Sequence, residues 1–199
     1  MENEKSLLGK FFLIVGPSGS GKSSVLKMIK QRYAGFVYPI SFTTRAIREG
    51  ESDGEVYHFI GVDEFKRKIE ADEFLEHALV HKTNYYGTDK KMILDALEGG
   101  AVVVREVDVQ GFMSIREIIP KENLVTIFID LGDETELEER IRGRSEMSEE
   151  EFEKRMESMK EEMKMKELCN YSVKNPFGKL NECVSDVEKI ILDEIKDLY

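Results

Sequence analysis

The run Gly16-Pro17-Ser18-Gly19-Ser20-Gly21-Lys22-Ser23, continued by Ser24, is an unbroken G-x-x-x-x-G-K-[ST] loop and the strongest chemical signal in the chain. Its glycines let the backbone wrap N–H groups around phosphate oxygens, which demands positive φ and no Cβ in the way. A helix leaving the loop adds about half a positive charge at its N-terminus. Lys22 is expected to reach the β- and γ-phosphates, and the Ser23 hydroxyl to be a ligand of Mg²⁺. The loop therefore predicts a bound nucleoside triphosphate. It leaves open whether the chain is a GTPase, an ATPase or a small-molecule kinase.

A second group of residues narrows this. Ser41-Phe42-Thr43-Thr44-Arg45-Ala46-Ile47-Arg48 is followed by Asp53-Gly54-Glu55-Val56-Tyr57-His58-Phe59. Two arginines three apart, a hydroxyl-rich strand and a tyrosine can cradle a second phosphate, because guanidinium forks bind phosphoryl oxygens bidentately. Further on, Glu106 and Asp108 stand two apart at the end of an apolar run. That spacing points both carboxylates to one side of the sheet at its C-terminal edge. His58, His77 and His81 have no metal-cluster spacing and are read as surface or packing residues.

The elements needed to hold these groups are legible as apolar runs. Phe11 to Val15 reads as a buried strand, and the next helix carries Val25, Leu26, Met28 and Ile29 until Tyr33-Ala34-Gly35. Buried strands are expected at Ala101 to Val107 and Leu124 to Ile129, with a helix over Phe112 to Ile119 between them. A last strand at Tyr171 to Lys174 precedes a closing helix with Val184, Val187, Ile190, Ile191 and Ile195 on one face. Strands alternating with helices predict an α/β fold, a parallel sheet core flanked by helices. Between 36 and 89 the pattern changes to short runs, Ile40 to Thr44, Tyr57 to Ile60 and Asn84 to Thr88, around one helix at Val62 to Ala71. This reads as an inserted mixed α/β lobe. A polar, Arg-rich insertion at Thr135 to Met156 reads as a helical lid. The expected division is 1–35, 90–134 and 157–199 for the core, 36–89 for the lobe and 135–156 for the lid, within one domain.

Composition excludes several alternatives. With 29 Lys plus Arg against 40 Asp plus Glu, the 199-residue chain has a net charge of −11, which opposes binding to nucleic acid or an anionic membrane surface. No run approaches the roughly 20 apolar residues of a membrane span. MENEKSLLGKFFLIV has an acidic start and no small-residue cleavage site, so a cytoplasmic location is expected. Cys169 and Cys183 make neither a disulfide framework nor a zinc site. A homo-oligomer is compatible with all of this.

Taken together, GPSGSGKSS, SFTTRAIREGESDGEVYHF, FLEHALVHKTNYYGT, EVDVQG, and RIRGRS with the later KRM resemble guanylate kinase of the nucleoside monophosphate kinase family, over essentially the whole chain. The resemblance implies transfer of the γ-phosphoryl of ATP to GMP or dGMP with Mg²⁺. It implies that Gly16, Pro17, Ser18, Gly19, Ser20, Gly21, Lys22, Ser23 and Ser24, with Arg140 and Asn175, bind ATP. Arg45, Arg48, Tyr57 and Tyr86 match positions that hold the GMP phosphate, and Ser41, Glu76 and Thr88 those that face guanine. Glu106 and Asp108 match the acidic pair between donor and acceptor, Asp108 reaching the metal through water. Lys22, Arg45, Arg144 and Arg155 match the cations on the transferring phosphates. Glu76 also makes chemical sense: guanine's N1–H and 2-amino group are adjacent donors, and a carboxylate is acceptor-only.

The chain departs from the family pattern at three places. Arg105 stands where an aliphatic residue is usual, which predicts that it snorkels from the opposite face or pairs with an acid. Ser145-Glu146 replaces a small pair, and Pro176 stands where an acid is common. A rival reading is a non-catalytic module of the same shape that binds a phosphorylated peptide. Such modules degrade the P-loop or the lid arginines, whereas here Lys22, Ser23, Arg144 and Arg155 are in place. A kinase of another small phosphorylated molecule is resisted by Ser41, Glu76 and Thr88 together.

Overall fold

The structure, a computed structural model, describes residues 7–55, 57–80, 83–131, 138, 142 and 148–198. Its centre is β1 (Lys10–Val15), in which Phe11 to Val15 are all buried. A strand apolar at every position must be covered on both faces, and β1 sits inside a four-stranded sheet ordered β6-β1-β7-β8. β6 (Val102–Glu106), β7 (Leu124–Asp130) and β8 (Tyr171–Lys174) complete it, with every pairing parallel.

Alternate residues of β1 feed two different cores, as the period of two requires. Phe12 and Ile14 pack with Val25 and Ile29 of α1 (Lys22–Arg32) and with Val184, Val187 and Ile191 of the closing helix Leu180–Glu194. Phe11, Leu13 and Val15 pack on the other face with Ile93 and Leu97 of α3 (Lys90–Glu98) and with Phe112 and Ile115 of α4 (Val109–Ile118). The α/β reading and its parallel sheet therefore hold, with strand boundaries moved by one residue and the start of α4 by three. Asp89 caps α3 by accepting from Met92 N at 2.7 Å. This helix is one that apolar patterning alone left unread.

The segment read as an inserted lobe forms a second sheet ordered β3-β2-β5-β4. It contains β2 (Ser41–Thr43), β3 (Tyr57–Phe59), β4 (Phe74–Val80) and β5 (Asn84–Asp89), with α2 (Val62–Glu70) against it. β4 is the strand the sequence pattern missed; it opens on two adjacent buried residues, Phe74 and Leu75, and its register with β5 is irregular between Phe74 and Glu76. The lobe is anchored by aromatic stacking: Phe65 and Phe74 lie 4.4 Å apart between ring centroids, and Phe65 and Tyr85 5.3 Å. Gly87 makes room for them, since a Cβ there would lie 2.9 Å from Phe74 and 3.0 Å from Phe65.

The polar helix expected near the lid is α5 (Glu149–Met163). Ser148 and Glu151 form a reciprocal capping box at its start. The helix continues unbroken past residue 156, where the lid was expected to end, because Phe152 and Met159 both pack on Leu131.

Candidate active site

At the end of β1 the chain turns through Gly16 (φ +147°), Gly19 (φ +92°) and Gly21 (φ +96°) into α1. These positive values are what the glycines of the loop are for. Lys22 Nζ donates to the carbonyls of Gly16 at 2.6 Å and Pro17 at 3.1 Å, closing the loop on itself. Ser23 Oγ donates to the Glu106 carboxylate at 2.8 and 3.0 Å. The backbone N–H of Ser18 donates to Glu162 Oε2 of α5 at 2.9 Å, so a carboxylate occupies one amide of the loop. Ser20 Oγ is buried beside Gly16 and has no hydrogen-bond partner among the described residues.

The loop opens into a cleft of about 660 Å³ between the two sheets. Ser18, Gly19, Gly21, Lys22, Ser23 and Ser24 line one part of it, and Ser41, Tyr57, Glu76 and Tyr86 another. Glu106 and Asp108, with Arg105, line it as well. Groups from residues 18 to 108 thus converge on one space, as the motif reading anticipated.

Glu76, on β4, is only 10% exposed at its side chain. Thr88, fully buried on β5 directly opposite, donates to Glu76 Oε1 at 2.5 Å. Thr88 therefore stands behind the carboxylate and does not line the cleft. Tyr57 and Tyr86 meet edge to face at 5.5 Å, and burial raises the Tyr57 phenol above its ordinary value. Arg45 lies 5.4 Å over the rings of Tyr57 and Phe59 and forks onto Glu51 at 2.9 and 3.0 Å. That hydrogen bonding raises Arg45 and lowers Glu51 from their ordinary values. The backbone N–H of Arg48 donates to the same Glu51 carboxylate at 2.9 Å, and Arg48 itself is exposed.

Arg105 is the residue the motif reading did not place in the site. It belongs to β6 and shares a sheet face with Val103, the face covered by α4 and Leu75. Its Nη2 donates to Glu76 Oε1 at 2.9 Å and to Ser41 Oγ at 3.1 Å. Burial lowers its pKa from the ordinary arginine value. Of the two expectations for Arg105, pairing with an acid is the one realised. The available signal was a charge interrupting an otherwise apolar strand, Ala-Val-Val-Val-Arg, immediately before an acidic pair.

A family model described as guanylate kinase matches residues 9–194 of the chain. The chain belongs to the guanylate kinase family. Among similar curated guanylate kinases, that of Fusobacterium nucleatum is 38% identical over 95% of this chain and 99% of its own. That of Caldanaerobacter subterraneus is 41% identical over 96% of this chain and 93% of its own. The crystal structure of guanylate kinase from Anaplasma phagocytophilum superposes with a TM-score of 0.71 at 26% identity, covering 97% of this chain and 90% of that one.

In this guanylate kinase chain Asp108 and Asn175 each bond to a backbone group. Asp108 is not a strand residue: β6 ends at Glu106, and Asp108 is the N-cap of α4, accepting from Gly111 N at 2.8 Å. An aspartate two residues past a strand and at a helix start satisfies an otherwise orphaned amide. Asn175 is 4% exposed and donates through Nδ2 to the Ser20 carbonyl at 2.7 Å, beneath the P-loop, where a Cβ on Gly21 would collide with it. It braces the phosphate loop from below. Arg155 is exposed on α5 and does not line the cleft. Arg140, Arg144 and Ser145-Glu146 lie outside the described residues.

Proposed function

We infer that the chain is an ATP:GMP phosphotransferase that converts GMP, and dGMP, to the diphosphate. The observation that carries this is the single cleft lined by the P-loop, by Ser41, Tyr57, Glu76 and Tyr86, and by the Glu106–Asp108 pair. A phosphate oxygen of GMP forms the new bond to the γ-phosphorus as the bond to the β–γ bridging oxygen breaks and ADP departs. Such a transfer needs positioning and charge neutralisation more than a base.

The residues present suit these tasks. Lys22, bonded to the Gly16 and Pro17 carbonyls, exchanges those neutral acceptors for the β- and γ-phosphates. Arg45 and Arg48, gathered on Glu51 next to Tyr57 and Tyr86, hold the acceptor phosphate. Arg140, Arg144 and Arg155 are assigned to a lid that closes over the transferring group and expels water. Ser23 and Glu106, hydrogen-bonded to each other, offer hard oxygens that suit Mg²⁺; Ser23 Oγ would hold the ion and Asp108 would act on it through water. The ion supplies charge neutralisation on the β- and γ-phosphate oxygens. Residues 36–89 act as the GMP lobe, and the enzyme works in the cytoplasm. No helix among the described residues is long and apolar enough to cross a membrane.

A coupled ADP-release assay with GMP, dGMP, AMP, UMP and CMP tests the proposal. Guanine monophosphates are expected to support turnover and the others to support little. Release of ADP with AMP at the rate seen with GMP would remove the basis for the assignment.

A further inference from the structure

We propose that Arg105 is a second reader of the base, supplying the donor that faces guanine O6 when N1–H and the 2-amino group dock on Glu76. This rests on the phosphotransferase reading of the same cleft.

The Watson–Crick edge of guanine presents an acceptor, O6, beside two donors. A carboxylate answers only the donors. A complete complement needs a donor next to that carboxylate, in the order that cytosine's edge offers. Arg105 Nη2 already lies 2.9 Å from Glu76 Oε1 and 3.1 Å from Ser41 Oγ, so a donor and an acceptor stand side by side on the cleft lining.

Two further observations favour this role over simple ballast. Arg105 Nε is buried and has no hydrogen-bond partner among the described residues, an arrangement that folded proteins rarely retain without use. The Arg105 side chain is 12% exposed and lines the cleft, so it is largely desolvated yet reachable. Moreover, Oε1 of Glu76 already accepts from both Thr88 and Arg105. Base docking must therefore redistribute donors around Glu76, and an arginine with unused N–H groups can keep one bond to the carboxylate while giving another to O6. Arginine matches guanine's acceptor edge better than any other side chain, through its planar fork.

The test uses the full chain, GMP and the GMP analogue with sulfur in place of O6, a much weaker acceptor. Steady-state kinetics are compared for wild type, Arg105→Leu and Arg105→Lys. Wild type is expected to favour GMP over the thio analogue by roughly tenfold or more in kcat/KM, chiefly through KM, the value of one hydrogen bond to a charged donor. Arg105→Leu is expected to raise KM for GMP about tenfold while changing the analogue little, so that the preference collapses. Arg105→Lys should restore part of it. Equal losses on both substrates in Arg105→Leu would mean that Arg105 only props Glu76, and would overturn the proposal. If Arg105→Leu fails to fold, the wild-type ratio decides: a preference near unity overturns the proposal without any variant. A wild type that does not phosphorylate GMP at all would instead overturn the phosphotransferase reading.

Discussion

Glu76 carries two protein donors on one oxygen before any nucleotide arrives, and the consequence can be measured. Replacing Glu76 by Gln leaves at most one acceptor for guanine's two donors, and an unpaired buried donor costs on the order of 1–3 kcal/mol. Glu76→Gln is therefore expected to lower kcat/KM for GMP by at least about tenfold with KM for ATP unchanged. A smaller loss in steady-state kinetics would mean that Glu76 does not read the base. Cysteine reactivity gives a second check. Burial lifts the Cys169 thiol to about 11, and Cys183 is fully buried. Only the thiolate is nucleophilic, so at pH 8 roughly one Cys169 in a thousand is reactive, and the fraction climbs as pH rises toward 11. Native protein at pH 8 should take up iodoacetamide far more slowly than unfolded protein. Rapid labelling by mass spectrometry would show that the thiol is not desolvated.

The elements that carry these groups depend on a few close approaches. β5 passes Phe65 and Phe74 with no room for a methyl group at Gly87, the nearer ring atom lying 2.9 Å from where a Cβ would stand. Gly87→Ala is expected to destabilise the lobe by about 1–3 kcal/mol through overpacking. For a protein of this size that lowers Tm by roughly 3–9 °C in calorimetry, and GMP affinity should suffer before ATP affinity. α5 makes a different kind of contact. Its Glu162 carboxylate accepts from the Ser18 amide, competing with an incoming phosphate for the same donor. The contact is exposed, so its worth is modest. Glu162→Gln should lower KM for ATP by roughly two- to fivefold, less at high salt. A raised KM would mean that Glu162 supports the loop.

The two sheets face each other across the cleft, with Leu75 of β4 packed into the core beneath the other sheet, and the groups assigned to one phosphoryl transfer are spread across both. The P-loop belongs to the β6-β1-β7-β8 sheet, while Glu76, Tyr57 and Tyr86 belong to the other. Reacting atoms must come within van der Waals reach and exclude water, so binding of both nucleotides should draw the lobe toward the core. Small-angle scattering is expected to show a smaller radius of gyration with a bisubstrate analogue than with ATP or GMP alone. An unchanged radius would count against lobe closure. The net charge of −11 is consistent with the proposed nucleotide binding, because Lys22 lines the cleft and Arg45 stands over Tyr57, where the phosphates are assigned.

Some of this could be read directly along the chain. The phosphate loop was legible because its chemistry and its backbone demands fall within eight contiguous residues. β1, β6 and β7 were legible because strands buried on both faces are apolar at nearly every position. β4 and α3 were not: β4 opens on two adjacent buried residues, Phe74 and Leu75, which breaks its alternation, and α3 has nine residues of which only Ile93 and Leu97 are fully buried. The grouping of Ser41, Tyr57, Glu76 and Tyr86 was legible where family motifs keep their spacing, and the four line one cleft with the phosphate loop. Three features came only with the packed layers: the pairing of Arg105 with Glu76 across 29 residues, the brace of Asn175 on Ser20 across 155, and the contact of Glu162 with Ser18 across 144. Periodicity tells which face of an element is buried. It does not tell which atom of another element, tens of residues away, will stand within 3 Å, because that distance is set by sheet order, register and the way side chains fill the space between layers.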